Sequence, residues 1–144
     1  MVFGLLGLIA AAIFTGAALY VNVAEQPARL RLDDRALLTE WKPAYQRGAA
    51  MQAPLALAGC LLGLIGWWQT SHGGFLIGAM AIIAPWPWTL IGIKPTNDTL
   101  QATEPDLAGP QTRALVVKWG ALHGVRTALG ALATLAFLWA CIPG

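Results

Sequence analysis

Trp119, His123 and Arg126 are spaced i, i+4 and i+7 and so fall on one stripe of a helix. That stripe joins an aromatic face, an imidazole that ordinarily titrates near neutrality and a permanent cation. Such a set can accept a proton and hold the negative charge left behind. Other polar residues collect at the same depth: Tyr20, Asn22 and Glu25 close one apolar run, Tyr45, Arg47 and Gln52 open another, and Lys94-Pro95-Thr96-Asn97-Asp98 closes a third. Glu25 is the expected counter-ion of Arg126. Blander roles stay open beside these. A lone histidine at such a place is more often a hydrogen-bonded structural group, and Arg126 can snorkel along its own helix toward water.

The elements that must position this set follow from composition. The chain has 144 residues, of which 57% are hydrophobic and 11% charged, and its mean hydropathy is +0.60. Soluble domains carry roughly 25% charged residues, so an ordinary soluble enzyme, a disordered segment and a nucleic-acid-binding module are all excluded. The bilayer is the remaining solvent. Four apolar stretches of about 20 residues, at about 2–24, 48–68, 75–93 and 119–142, are each long enough to cross it. The first lacks the basic leader of a cleaved signal and is expected to be retained.

Arg29, Arg31, Arg35, Lys42 and Arg47 lie in the first connection, and Lys94, Arg113 and Lys118 in the third. The middle one, Gln69-Thr70-Ser71-His72-Gly73-Gly74, has no lysine or arginine. Positive residues stay on the cytoplasmic side, so polar loops 25–47 and 94–118 are expected there. The predicted fold is all-α: one transmembrane, antiparallel four-helix bundle over 1–144, with both termini extracytoplasmic. The expected location is integral and multi-pass, in a bacterial cytoplasmic membrane. In the first loop, Asp33 and Asp34 are expected to cap a short surface helix with Leu37, Leu38 and Trp41 on one face. Pro43 is read as opening the next helix, Pro54, Pro85 and Pro87 as bending theirs, and Pro110 as starting the last. No internal repeat is apparent.

His72 lies at the opposite pole from His123, so one chain cannot bring both to a haem or metal. Cys60 and Cys141 differ in depth by roughly 10 Å from the helical rise, which argues against a disulfide. The reading therefore includes no cofactor and no metal. Gly59-Cys60-Leu61-Leu62-Gly63 and Gly120-Ala121-Leu122-His123-Gly124 suit close helix packing, within the bundle or between copies in a homo-oligomer.

Four runs carry a resemblance: Gly16-Ala17-Ala18-Leu19-Tyr20-Val21-Asn22-Val23-Ala24-Glu25-Gln26-Pro27-Ala28-Arg29, Ala50-Met51-Gln52-Ala53-Pro54, Pro95-Thr96-Asn97-Asp98-Thr99-Leu100 and Trp119-Gly120-Ala121-Leu122-His123-Gly124-Val125-Arg126-Thr127. In this order, over nearly the whole chain, they resemble the anthrone-oxygenase-like membrane proteins, long catalogued as a domain of unknown function. The resemblance implies four membrane helices and, as in some fungal members, oxygenation of an anthrone without metal or flavin. On that footing His123 would be the base, Arg126 with Asn97 or Gln52 would hold the developing oxyanion, and Trp119, Tyr20 and Trp41 would wall the aromatic. Glu25 belongs to the same polar set. Three readings stand side by side: an oxygenase-like oxidoreductase acting on a lipophilic aromatic; a non-catalytic protein binding a lipid headgroup, quinone or partner; and a small transport component. Transport ranks last, because the outer half offers little beyond Gln69, Thr70, Ser71 and His72.

Overall fold

The computed structural model describes residues 1–142, and these are helical throughout apart from short connections. Four long helices, α1 (Val2–Arg29), α2 (Asp34–Thr70), α3 (Gly73–Ala102) and α4 (Pro110–Cys141), are each long and apolar enough to cross a membrane. Each packs on its two neighbours in a closed ring, α1 on α2 and α4, α3 on α2 and α4. Small residues allow the approach. A Cβ on Gly66 would lie 3.3 Å from the Gly4 backbone, and one on Gly7 would lie 3.4 Å from that of Gly63. Gly59 abuts Ile82 and Ala10, Gly63 abuts Phe137, and Gly120 abuts Gln26, so the small-residue patterns serve contacts within the chain. Ile9, Ile13, Leu61, Ile77, Leu132 and Leu135 point outward and are exposed, giving an apolar exterior.

The polar loops expected at 25–47 and 94–118 are mostly helix. Only 30–33 and 103–109 interrupt it, the latter holding one short 3-10 turn at Pro105–Leu107. The reason lies at Pro27 and Pro95. A proline inside a helix lacks an N–H, and its ring clashes with the carbonyl four residues back. Here both are preceded by a single π-helical turn, Val21–Glu25 in α1 and Thr89–Ile93 in α3, closed by the Gln26 amide on Val21 O and the Lys94 amide on Thr89 O. Each wide turn ends just before its proline, and the helix runs on.

Asp33 does cap a helix, its Oδ1 accepting the Ala36 amide at 2.8 Å, but that helix is α2 itself rather than a separate surface segment. Leu37, Leu38 and Trp41 are fully buried against Ile93, Leu100, Val116 and Trp119 in a core of their own. A second core at the other end holds Phe14, Phe75, Ile82, Ala133 and Phe137. Pro43 and Pro54 both lie inside α2, which corrects the expectation for Pro43, while Pro110 starts α4 as expected. In α3 the Ala84 amide still donates to Met80 O and the Trp88 amide to Ala84 O, both at 3.2 Å, so the helix runs on and loses only the bonds that Pro85 and Pro87, without an N–H, cannot make.

The structure also brings out a repeat that the sequence reading overlooks. Arg35-Ala36-Leu37, with Trp41 four residues on, recurs as Arg113-Ala114-Leu115 with Trp119. Trp41 and Trp119 meet edge to face, with centroids 5.6 Å apart, and each lies against the residue four positions later, Tyr45 and His123, at 5.0 Å. Arg35 reaches Asp106 ahead of α4, and Arg113 reaches Asp34 at the start of α2 and Leu30 O just ahead of it. Together with the paired π turns, α1–α2 and α3–α4 repeat one pattern of residues and turns.

Candidate functional site

Between the two cores, at the end of the helices that carries the charges, all four helices line a cavity of about 30 Å³. Among its lining residues are Glu25, Gln52, Asn97, Trp119, His123 and Arg126, six of the eight positions singled out from sequence. Trp41 does not reach it but lies behind, buried between Tyr45 and Trp119. Tyr20 is 63% exposed on the outside of α1, while its neighbour Val21 takes the inward place, so Tyr20 is no part of the wall.

His123 is only 4% exposed. Its Nδ1 lies 3.0 Å from Asn22 Oδ1. The orientation of that amide is fixed, because Asn22 Nδ2 donates to Gly120 O at 2.9 Å and Oδ1 also accepts the Thr127 hydroxyl at 2.7 Å. An acceptor facing Nδ1 requires the proton on Nδ1, which leaves the Nε2 lone pair of the neutral ring free. The π turn in α1 carries Asn22 to this place, and Gly120 leaves room for Gln26, whose amide donates to Val116 O at 2.8 Å.

Arg126 does not pair with Glu25. Its Nη1 donates to Thr89 Oγ1 at 3.0 Å and its Nη2 to Gln52 Oε1 at 2.9 Å, while Nε is buried without a partner among the described residues. Both acceptors are neutral. Its Cζ stands 5.8 Å from the centre of the Phe14 ring. Glu25 instead binds Arg29, one helical turn on, at 2.9 Å, and Glu40 binds the same guanidinium at 2.9 Å. The correction follows from helix geometry: once α1 continues past Ala24, Arg29 is the i+4 neighbour of Glu25 and meets it without crossing the cavity. Arg29 is 3% exposed and sits over the Trp119 ring at 5.6 Å.

The ion pair of Arg29 with two carboxylates therefore neutralises one cation, and Arg126 keeps its charge against neutral acceptors only. Tyr45 completes the wall, its hydroxyl accepting from Asn97 Nδ2 at 3.1 Å, while Asn97 Oδ1 is buried without a partner among the described residues. A space of this size takes about one or two water molecules, and polar groups without partners are where such waters bind.

Sequence reasoning placed Asn22 and Tyr45 at this depth without giving them a role, and did not select Arg29 and Thr89. A signal for Asn22 and Arg29 was present, since Asn22, Glu25, Gln26 and Arg29 follow i, i+3, i+4 and i+7, the spacing of a helix that has not ended.

Beside this cavity lies a larger one. Arg126, Gln52, Thr89 and Ala49 form a shared wall, behind which a cleft of about 180 Å³ opens between α2 and α3, lined otherwise by apolar and aromatic groups.

A family model for anthrone oxygenase matches residues 41–136, which take in α2 from Trp41, all of α3 and most of α4. No curated protein and no solved structure matches the chain.

Proposed function

Because the chain belongs to the anthrone oxygenase family, we propose that it oxygenates a lipophilic aromatic bearing an acidic C–H, at the charged end of its helices, without a metal or flavin. In this reading the helices form an antiparallel bundle across a bacterial cytoplasmic membrane, with both termini outside. The apolar exterior and the confinement of every lysine and arginine to one pole support that orientation.

The observation that carries the chemistry is a histidine with its proton held on Nδ1 by Asn22, lining the same cavity as a cation that has no carboxylate partner among the described residues. His123 Nε2 takes the proton from the acidic carbon. The electron pair moves onto the ring oxygen, and Arg126 stabilises that oxyanion. The electron-rich carbon gives its electrons to dioxygen and forms a C–O bond. The resulting peroxide anion takes the proton back from His123 to become a hydroperoxide, which loses its terminal OH and the remaining hydrogen of that carbon as water, so a CH₂ and one O₂ become a carbonyl and one H₂O. Trp119 and Tyr45 supply flat apolar surface.

Purified protein given emodin anthrone under air tests this. His123→Ala should lower the rate by about 10²–10⁴-fold, the usual range for a positioned base. Equal rates for the variant and the wild type would remove His123 as the base.

One observation favours a second reading. The cavity next to His123 holds about 30 Å³, room for a small polar group but not a three-ring substrate. A non-catalytic protein that takes only the polar tip of a lipid headgroup or quinone there predicts no turnover and a co-purifying phospholipid or quinone by native mass spectrometry.

A further inference from the structure

We propose that the cleft between α2 and α3 seats a singly ionised lipophilic acid that enters sideways from the bilayer, its apolar body against Phe14, Ala53, Pro85 and Trp86 and its anionic oxygen on Arg126. This rests on the reading of Arg126 as an oxyanion holder, and it adds the seat and the route.

Size comes first. The cleft, at about 180 Å³, has six times the volume of the cavity at His123, and the two share Arg126 as a wall. Charge comes second. The guanidinium is the one ionised group lining the cleft, it donates only to neutral oxygens, and its Nε is buried without a partner among the described residues. One negative oxygen balances that site, and a second would find no cation.

The direction of the opening is the third argument. Trp86 is 41% exposed and Leu90 60% exposed on the outer face of α3, beside the apolar exterior of the chain. An occupant arriving there meets no charged group before Arg126. Across the mouth the Trp86 indole N–H donates to Ala53 O at 3.3 Å, a long bond between α3 and α2. Trp86 lies between Pro85 and Pro87, neither of which has an N–H to give the helix. Swinging that one side chain aside widens the entrance.

The test uses the full chain in lipid nanodiscs with radiolabelled anthracene-9-carboxylate, counted against empty nanodiscs. Saturable binding is expected, displaced by the unlabelled acid and not by uncharged 9-methylanthracene. Ala53→Trp and Leu90→Trp, which fill the cleft from opposite walls, should each weaken binding at least tenfold, and Arg126→Gln should abolish the preference for the charged probe. Thermal unfolding within a few degrees of wild type qualifies each variant, and the competition arms need no variant. Displacement by oleate as well would support the site with an acyl acid as its occupant; displacement by aromatic acids alone would support it with an aromatic one. Equal competition by 9-methylanthracene, or undiminished binding in the tryptophan variants, would overturn the proposal. The two readings fail separately. Binding of the acid without oxidation of emodin anthrone sinks the oxygenase assignment alone, and unimpaired oxidation by Ala53→Trp sinks the cleft alone.

Discussion

Asn22 Oδ1 lies 3.0 Å from His123 Nδ1 and 2.7 Å from the Thr127 hydroxyl, so one side chain of α1 sets the tautomer of an imidazole on α4. The same amide clasps the α4 backbone at Gly120 O.

Asn22→Leu removes the acceptor and the clasp together and leaves buried donors unpaired. The expected cost is about 1–3 kcal/mol of stability, with anthrone oxidation down at least tenfold per folded molecule. Thermal unfolding beside rate measurements checks both. A variant that is less stable but equally active would detach the tautomer from the chemistry.

Arg126 acts through two separate donors, to Thr89 and Gln52, and a lysine ammonium cannot reproduce that planar fork. Arg126→Lys should keep the charge and lose its placement, giving a rate intermediate between wild type and Arg126→Gln. For Arg126→Gln the fall expected from loss of an oxyanion donor is about 10²–10³-fold in kcat. Rates for both variants ranking level with wild type would deny the cation a part in the reaction.

The glycines divide by what a methyl group would meet. At Gly63 and Gly78 it would fall 2.7 and 2.6 Å from the Phe137 ring, whereas at Gly16 and Gly48 nothing lies within 4 Å. Gly63→Ala and Gly78→Ala should therefore destabilise by about 1–3 kcal/mol through overpacking. Gly16→Ala and Gly48→Ala should gain up to about 1 kcal/mol from helix propensity. Thermal unfolding in detergent ranks the four, and the reverse order would contradict this packing.

Orientation has its own check. A reporter active only outside the cytoplasm should be active when fused after Gly144 and silent when inserted between Thr103 and Glu104. The opposite pattern would invert the bundle.

The four long helices and most of the cavity wall were legible because hydropathy and helical spacing are local properties. Trp119, His123 and Arg126 needed only the period of one helix. The pairing of charges was not legible in the same way, since it turned on whether α1 stopped at Ala24. Pro27 reads as a stop by the general rule, and the π turn that accommodates it depends on hydrogen bonds that no residue type announces. That error sent Glu25 to Arg126 and left Arg29 in a loop. Tyr20 was misplaced by one position around its helix, at the edge of the same turn. Trp41 reads locally as the face of a surface helix because its burial comes from Trp119 and Val116, far away along the chain.

Arg-Ala-Leu, with a tryptophan four residues on, stands at the start of both α2 and α4. Two identical halves would set each group twice and give two equivalent half-sites. Here the matching positions differ: Tyr45 stands where the other half has His123, and Glu25 and Arg29 stand where it has Ile93 and Asn97. The matching scaffold therefore holds unlike groups, an imidazole at the position of a phenol and a carboxylate-bound guanidinium at the position of an amide.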